Sequence, residues 1–315
     1  MTDWYFILNP HAGSGKTMSE WEKAEKLLSS AGVSFTTVHT VRKGHAASLA
    51  AEAAASGYRR IVAVGGDGSV HDVLQGIASW CAESGVDSSS FTLGVIPIGS
   101  GNDWIKSLGV PHDLEKVVQM IATGSTAPMD LVSVRLSEGS VVSYMANIGG
   151  TGFDSHVCER VNAQKEAGKR GRRIYLNALI HTIFNISSVN LRVVADGRDV
   201  FEGPCYSIAL GNGKYSGSGM RQVPLATIDD GLLDYMIVPK VSVTRILQEI
   251  PRLFRGNVHK SPTVISGRCR SLMILPLDSA SADIVELDGE IAGTLPLAIE
   301  MDGKVIQAVA PGKTE

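Results

Sequence analysis

The chain has 315 residues, 44% of them hydrophobic, which is enough for one large or two ordinary domains with buried cores. Its 29 basic and 32 acidic side chains give a net charge of −3, so we expect no nucleic-acid partner. Four widely spaced cysteines without a C-x-x-C pair argue against a zinc site or a disulfide framework. The chain starts without a basic, apolar leader and lacks any run near the roughly 18 apolar residues of a membrane span. We therefore expect a cytoplasmic protein.

The first third of the chain alternates short apolar runs with helical patterns. Strands are predicted at residues 5–8, 34–38, 60–64 and 93–98. Helices are predicted around residues 21–28, 45–55 and 70–81. Strand, turn and helix repeating in this order are typical of a doubly wound parallel sheet, whose ligands bind at loops beyond the carboxyl ends of the strands.

After residue 124 the pattern changes to closely spaced strands. Strands that pair are predicted at residues 130–136 and 141–148, and the Asp-Gly pairs at 196–197 and 302–303 indicate hairpin turns. Further strands are predicted at residues 206–210, 233–238, 270–275 and 284–287, and helices at 174–186 and 243–254. We expect an α/β nucleotide-binding domain over residues 1–127 and a mainly antiparallel β-rich domain over residues 128–315. The final strand, 305–309, fits either domain.

A first glycine loop, residues 9–17, ends in Gly-Lys-Thr like a phosphate-binding P-loop. Pro10 stands where that motif needs its first glycine, and proline lacks an N–H and fixes φ, so the usual cradle is not expected. Helix-start amides with Ser14 and Lys16 nearby still suit phosphate oxygens. The alternative is a plain helix cap by Ser14 or Thr17.

Two further loops, residues 65–69 (Gly-Gly-Asp-Gly-Ser) and 99–103 (Gly-Ser-Gly-Asn-Asp), also follow apolar strands and open helices. A carboxylate such as Asp67 faces a phosphate favourably when a metal lies between them, because bare anions repel. The alternative is that Asp67 only caps the helix that follows while the glycines form a turn. Asp103 would bring a second carboxylate to the same sheet edge, although its loop alone also fits an ordinary turn with an N-cap.

The second half of the chain has two acidic motifs. Glu286, Asp288 and Glu290 alternate and would share one face if the strand persists. Such a cluster is costly unless it is solvated or bound to a cation or proton donor, and a solvated hairpin end is the alternative. The Asp-Asp-Gly sequence at 229–231 favours a simple turn over a cation site.

In order, these motifs resemble the diacylglycerol kinase catalytic-domain family, which includes bacterial soluble diacylglycerol kinases, sphingosine kinases and ceramide kinases. The resemblance covers nearly the whole chain and implies an α/β nucleotide domain and a β-rich domain, with the active site in the cleft between them. The segments that carry it are Asn9-Pro10 with Gly13, residues 65–69, residues 99–103, Asn147 with Gly152-Phe153-Asp154, residues 229–231 and Asp288-Gly289-Glu290.

The resemblance also implies roles for single residues. Those expected to hold ATP are Asn9, Gly13, Ser14, Thr40, Gly66, Asp67, Gly68, Ser69, His71, Asp72, Ser100 and Asn102. Asp67 and Asp103 would organise the catalytic Mg2+, and Glu290 would be the general base, with Asp288 able to share that duty. A structural Mg2+ is implied at Asp230 with the carbonyls of Thr227 and Leu232.

The sequence does not decide which molecule accepts the phosphoryl group. His71 stands where bacterial members usually have Asn and where sphingosine and ceramide kinases have His. We therefore expect an ATP-dependent kinase for diacylglycerol or a related lipid, with a sphingoid-base or ceramide kinase as the alternative. Two further alternatives are an NAD-kinase-like enzyme with a soluble acceptor and a non-catalytic lipid or nucleotide sensor.

A basic run, residues 169–173 (Lys-Arg-Gly-Arg-Arg), precedes the predicted helix 174–186. Its cations suit anionic headgroups, whereas the alternative is a solvated loop before a buried helix. Helix 243–254 is expected to pack on a core rather than to anchor in a membrane. The expected partner is thus a lipid substrate at a membrane surface, with peripheral contact at the inner membrane face and a homodimer left open.

Overall fold

The computed structural model describes residues 3–99, 101–137, 142–167, 169, 172–185 and 187–312. The chain divides into two compact units. One comprises the chain up to Leu131 together with the stretch from Gly303 onward, and the other runs from Val132 to Asp302. Among the described residues, no helix combines the length and apolar character that crossing a bilayer requires.

The first unit is an α/β layer structure around a six-stranded sheet. Its elements are β1 (Trp4–Leu8), α1 (Thr17–Ser30), β2 (Phe35–His39), α2 (His45–Ala55), β3 (Arg60–Gly65), α3 (Asp67–Ser84), β4 (Thr92–Pro97), α4 (Asp103–Leu108), α5 (Leu114–Thr123), β5 (Thr126–Asp130) and β19 (Val305–Val309). The strand order is β2-β1-β3-β4-β19-β5, in which β5 alone runs antiparallel to its neighbour. Residues 61–65 of β3 are all buried, as in a strand covered on both faces.

The predicted alternation of strands and helices agrees with the structure through α3, within one to three residues at most ends. Helix α4 follows loop 99–103 as predicted, whereas the sequence pattern did not predict α5. Helix α5 has clear end signals, because the Asp113 side chain accepts hydrogen bonds from the amides of Glu115 and Lys116, and Gly124 ends the helix in the left-handed conformation.

The second unit is built mainly from antiparallel strands. Its elements are β6 (Val132–Leu136), β7 (Val142–Met145), β8 (Ile148–Gly152), α6 (Phe153–Glu166), α7 (Arg172–Phe184), β9 (Val189–Ala195), β10 (Arg198–Gly211), β11 (Tyr215–Ser216), β12 (Met220–Arg221), β13 (Leu233–Pro239), α8 (Val243–Arg255), β14 (Ile265–Cys269), β15 (Ser271–Pro276), β16 (Ile284–Leu287), β17 (Glu290–Thr294) and β18 (Leu297–Glu300). Eleven strands form one sheet in the order β17-β16-β8-β10-β9-β15-β18-β6-β7, with β13 beside β10 and β14 beside β13.

The core of this unit consists of side chains from most of these strands. Val193, Ile208, Ile237, Leu272 and Val285 are fully buried in it. The predicted hairpin at residues 196–197 joins β9 to β10. A doubly wound α/β unit with a mainly antiparallel second unit confirms the predicted fold class.

Three details of the prediction are corrected. The single strand expected at 130–136 is two strands, because the chain leaves the first sheet after β5 and enters the second at β6. The expected strand at 141–148 is likewise divided into β7 and β8. The turn at residues 302–303 is no hairpin, since β18 belongs to the second sheet and β19 lies between β4 and β5 in the first.

Candidate active site

The three glycine loops of the first unit lie side by side. They follow β1, β3 and β4, which are parallel neighbours in the sheet. Their close packing requires glycine: a Cβ on Gly13, whose φ is +56°, would lie 2.7 Å from Ile98 Cγ2 and 3.0 Å from its carbonyl oxygen. A Cβ on Gly99 would lie 3.0 Å from the Cα of Gly66. The sheet edge therefore offers closely packed backbone at the position where α/β folds bind phosphates.

Asp67 links the second loop to the third. It is the first residue of α3, after an N-cap at Gly66, and its Oδ1 accepts a hydrogen bond of 3.1 Å from the amide of Trp104 in α4. The carboxylate therefore reaches beyond its own helix to the start of α4.

Asp103 begins α4 and is almost fully buried. Lys106 Nζ contacts its Oδ1 at 2.7 Å and also donates to the carbonyl of Gly101 at 2.9 Å. This lysine is a partner that the sequence analysis missed, although its i+3 spacing from Asp103 is an available signal. Two carboxylates at one sheet edge suit Mg2+, which binds through one or two carboxylates together with substrate phosphates.

Other predicted nucleotide-binding residues surround this edge. Asn9 Nδ2 lies 3.5 Å from Ser69 Oγ, and the Thr40 amide donates to the carbonyl of Leu8 at 2.8 Å. Asn102 has a left-handed backbone (φ +49°) and donates from Nδ2 to the Gly99 carbonyl at 3.1 Å, so its amide braces the third loop. Gly68, His71 and Asp72 lie in the first two turns of α3.

The first loop does not form a side-chain cap through Thr17. Helix α1 starts at Thr17, whose Oγ1 instead donates back to the Ala12 carbonyl at 2.8 Å. Ser100 and the side chain of Ser14 lie outside the described residues, so their roles stay predictions.

The acidic motif of the second unit is a hairpin in which each carboxyl has its own environment. Asp288 and Gly289 both have positive φ (+54° and +88°) and form a two-residue turn between β16 and β17. The strand therefore ends at Leu287, and the shared face expected for Glu286, Asp288 and Glu290 is wrong.

Asp288 is held by backbone amides. Its Oδ2 accepts from Ala146 at 2.9 Å and its Oδ1 from Asn147 at 2.8 Å. The Asp288 amide in turn donates to the Ile148 carbonyl at 2.8 Å. Both carboxylate oxygens thus fix the turn to the β7–β8 segment, whereas Glu290 lies half-buried at the start of β17.

Glu286 is buried beneath the turn, and its Oε2 accepts from the Gly289 amide at 2.9 Å. Burial raises the pKa of Glu286 well above its ordinary value, and the nearby charges of Asp154, Asp288 and Glu290 raise it further. Four carboxyl groups therefore converge around this hairpin, and the buried one favours its protonated form.

Asp230 lies in a turn and is ion-paired with Arg268 of β14. Its Oδ1 accepts from the Leu232 amide at 3.1 Å and its Oδ2 from Arg268 Nη2. Arg268 Nε also donates to Asp234 Oδ2 at 3.0 Å. The guanidinium supplies positive charge to both carboxylates, so the geometry favours the turn interpretation, and the structural Mg2+ with Thr227 and Leu232 stays a prediction. Among the described residues, no group of three or more His, Cys, Asp or Glu side chains is arranged to hold a metal ion.

The second unit contains a cavity whose wall is largely apolar. Leu179, Tyr206, Met236, Ile250 and Leu253 are among the residues that line it. Helix α8 packs on a core as expected, since Leu253 contacts a buried cluster, and the same helix also lines this cavity. It also exposes two large apolar side chains, Leu247 and Phe254, which are 44% and 57% accessible.

The predicted basic run lies largely outside the described part of the chain. Lys169 is exposed, but the backbone of residues 168, 170 and 171 and the side chains of residues 172 and 173 are not described. Its contact with anionic headgroups therefore stays a prediction.

Two family models match consecutive parts of the chain. The diacylglycerol kinase catalytic domain matches residues 3–134, and the YegS C-terminal NAD kinase beta sandwich-like domain matches residues 147–310. A curated relative named "Diacylglycerol kinase" from Mycobacterium tuberculosis (strain ATCC 25618 / H37Rv) is 28% identical over 306 residues, which cover 97% of this chain and 94% of the relative.

Another curated relative, named "Probable lipid kinase YegS-like" from Xanthomonas oryzae pv. oryzae (strain MAFF 311018), is 30% identical over 305 residues, covering 96% of this chain and 89% of the relative. A solved structure of a diacylglycerol kinase from Bacillus anthracis str. Sterne shares the fold, with a TM-score of 0.76 at 24% identity over 98% of this chain and 96% of that one. The motif order, the fold and these matches agree. The chain belongs to the diacylglycerol kinase catalytic-domain family of lipid kinases.

Proposed function

We propose that this enzyme transfers the γ-phosphoryl group of ATP to the hydroxyl group of a diacylglycerol-like lipid, with Mg2+ as its metal cofactor. The observation that carries the proposal is the largely apolar cavity in the same unit as the acidic hairpin. A kinase for a small soluble acceptor has no need of such a cavity, whereas a lipid tail does.

The first unit supplies the nucleotide-binding residues. Glycine loops expose backbone amides at the carboxyl edge of the parallel sheet, which suits phosphate oxygens. Asp67 and Asp103 are the residues that would hold Mg2+, which when bound neutralises charge on the transferring phosphoryl group. Lys106 fixes the Asp103 carboxylate at 2.7 Å, and the Trp104 amide fixes that of Asp67 at 3.1 Å.

The second unit supplies the base. Glu290 would accept the proton of the attacking lipid hydroxyl as phosphoryl transfer proceeds. Asp288 is the weaker candidate, because both of its oxygens accept backbone hydrogen bonds. Burial raises the pKa of Glu286, which favours the uncharged form of this carboxyl beneath the turn.

Peripheral contact with a membrane is part of the same proposal. Ile180 and Phe184 on α7 are 46% and 74% accessible, and Leu247 and Phe254 on α8 are also exposed. Helices α7 and α8 both line the cavity, so apolar side chains are exposed on the helices that cover the lipid site. Such side chains insert readily into the headgroup boundary of a bilayer.

The test is phosphate transfer from γ-labelled ATP with Mg2+ to a panel of acceptors in mixed micelles: diacylglycerol, sphingosine, ceramide and, without micelles, NAD. The proposal expects label in the organic phase with diacylglycerol or a related lipid. Label transferred to NAD, or ATP hydrolysis that no lipid stimulates, would overturn it. Asp67→Asn serves as the inactive control for contaminating kinases.

A further inference from the structure

The turn that carries Glu290 is held from one side by a helix. The Gly289 carbonyl accepts a hydrogen bond from the Cys158 thiol at 2.8 Å and another from Asn162 Nδ2 at 3.1 Å. Both donors are side chains of α6, four positions apart, which places them on one face of the helix. Asn162 Nδ2 also lies 3.5 Å from Cys158 Sγ, so the two side chains and the carbonyl form one cluster. Neither donor belongs to the glycine loops or to the acidic motifs.

The carbonyl that they hold belongs to the peptide bond between Gly289 and Glu290. A peptide unit is planar, so a contact that fixes its oxygen also fixes the direction in which the chain enters Glu290. Gly289 has a φ of +88°, and glycine has the widest range of backbone conformations, so this peptide has little orientational preference of its own. Hydrogen bonds from outside the turn therefore contribute to the orientation of Glu290.

Different elements hold the earlier part of the turn. The Asp288 carboxylate accepts hydrogen bonds from two backbone amides of the β7–β8 segment, at 2.8 and 2.9 Å. The Gly289 amide donates to Glu286 Oε2 at 2.9 Å. These bonds fix the turn before its last peptide, whereas the bonds from α6 act on the peptide that leads directly into Glu290. The helix therefore has a separate influence on this carboxylate.

Helix α6 is itself anchored to the rest of the unit. In its first turn, the Asp154 carboxyl group is hydrogen-bonded to Ser207 Oγ at 2.7 Å and to Gln222 Nε2 at 2.6 Å. His156 Nε2 lies 3.0 Å from Asp283 Oδ1, just before β16 begins. A residue on a helix that is held in this way is presented at a fixed position, which is what precise orientation of a reacting group requires.

We propose that Cys158 and Asn162 are positioning residues for phosphoryl transfer, which orient Glu290 by holding the Gly289 carbonyl. The inference rests on the proposed function, because it takes Glu290 as the general base. A misoriented base lowers the rate of the chemical step and leaves the groups that hold ATP unchanged. Loss of the two hydrogen bonds should therefore appear in kcat rather than in the KM for ATP.

The experiment measures kcat and the KM for ATP in Asn162→Ala, in Cys158→Ala and in the double variant, each with and without Glu290→Gln. We expect the double variant to lose about tenfold in kcat, equivalent to about 1.4 kcal/mol of barrier, with the KM for ATP unchanged. Asn162→Ala should cause most of this loss, because a thiol is a weak donor. With Glu290→Gln already present, the same two substitutions should lower kcat by less than about twofold, because residues that act through Glu290 have little effect once the base is gone.

Two further variants serve as controls. Cys158→Ser keeps a donor for the Gly289 carbonyl and should stay within about twofold of wild type. Gln164→Ala removes an amide side chain from the same helix, two positions beyond Asn162, and should leave kcat unchanged. If the double variant loses the same factor with and without Glu290→Gln, the two residues only support the structure and the inference is overturned. A kcat of the double variant within about twofold of wild type would overturn it as well.

Amide hydrogen exchange at Glu290, measured without ATP or lipid, separates this inference from the proposed function. Loss of the two hydrogen bonds should speed exchange of this amide by about tenfold in the double variant and not in Gln164→Ala. If wild type phosphorylates no lipid but exchange rises in this way, the proposed function fails and the positioning of Glu290 stands. If wild type phosphorylates lipid and the double variant changes neither kcat nor exchange, the inference fails and the proposed function stands. If no lipid is phosphorylated and exchange is unchanged, both fail.

Discussion

The carboxylates of the two units reach their positions by different means. In the first unit, Asp67 and Asp103 follow parallel strands and are oriented by nearby partners, a backbone amide and a lysine. In the second unit, burial and the adjacent Gly289 amide orient Glu286, while the amides of Ala146 and Asn147 from a distant part of the chain orient Asp288. We expect the first pair to hold a metal, whereas Glu286 and Asp288 stabilise the turn that carries Glu290. The comparison supports the proposed division, with metal binding in the first unit and proton transfer in the second.

The strongest test of this comparison is Asp67→Asn. Asparagine keeps the Oδ1 acceptor for the Trp104 amide but loses the charge that a metal needs. We expect kcat to fall by about 1,000-fold or more, roughly 4 kcal/mol of barrier, with an unchanged thermal unfolding midpoint. Steady-state kinetics with Mg2+ and a melting curve measure both. Activity within about tenfold of wild type would remove Asp67 from the mechanism.

A second test distinguishes Glu290, the proposed general base, from Asp288, which holds the turn in place. Glu290→Gln keeps size and hydrogen bonding but removes basicity, so kcat should fall by about 100-fold, near 2.7 kcal/mol, while ATP binding changes little.

Asp288→Asn is the matched variant in the same turn. It places an NH2 group against one of the two amides of Ala146 and Asn147, so we expect a loss of about 1–3 kcal/mol in unfolding free energy. Its kcat should stay within several-fold of wild type. If Asp288→Asn loses turnover and Glu290→Gln does not, the base is misassigned.

A third, smaller effect is expected when the close packing of the glycine loops is disturbed. In Gly99→Ala the new Cβ would meet Gly66 Cα at 3.0 Å, which forces the second and third loops apart. Overpacking of this kind costs about 1–3 kcal/mol, and the KM for ATP should rise. Gly312→Ala is the control, because the nearest atom to its Cβ would be 4.0 Å away. Equal behaviour of the two variants would show that close loop packing has no role in nucleotide binding.

The smallest effect is on the pH dependence of stability. The raised pKa of Glu286 means that its contribution to stability is complete below its ordinary pKa of 4.5 and is lost as pH rises through the higher folded-state value. Glu286→Gln removes this loss while retaining an acceptor for the Gly289 amide. Denaturant unfolding from pH 4.5 upward should therefore show a steeper decline for wild type than for the variant. Parallel curves would contradict the buried, protonated carboxyl.

The same comparison explains what the sequence could predict. Residues 65–69 and 99–103 are contiguous motifs between a strand and a helix, so spacing alone places Asp67 and Asp103 at one sheet edge. The partners of Asp154 lie in β10 and beyond β12, 53 and 68 positions away, and no local pattern identifies them. Likewise β19 joins the first sheet across more than 170 residues of intervening chain. Helix α6 did carry a signal, since Val157 and Val161 recur at helical spacing and pack on Ile174 and Ala178.

At residues 286–290 the sequence permits either a shared carboxyl face or a hairpin end, and the structure has the hairpin. Alternation places Glu286, Asp288 and Glu290 on one face only while the backbone stays extended. The positive φ of Asp288 ends the strand at Leu287, before Asp288 and Glu290 could join that face. Asp-Gly is a strong turn signal, so giving it precedence over alternation would have separated the three carboxyls.

One measurement directly tests the central claim that the cavity of the second unit holds the lipid that is phosphorylated. Ala209 lines the cavity, and Ala209→Phe would fill part of it. The measurement is kcat/KM for diacylglycerols of increasing chain length, in wild type and in this variant, with binding of ATP and Mg2+ recorded alongside. We expect kcat/KM to rise with chain length in wild type and to fall by about tenfold or more for long chains in the variant, with ATP binding unchanged. Equal dependence on chain length in both proteins would contradict the account.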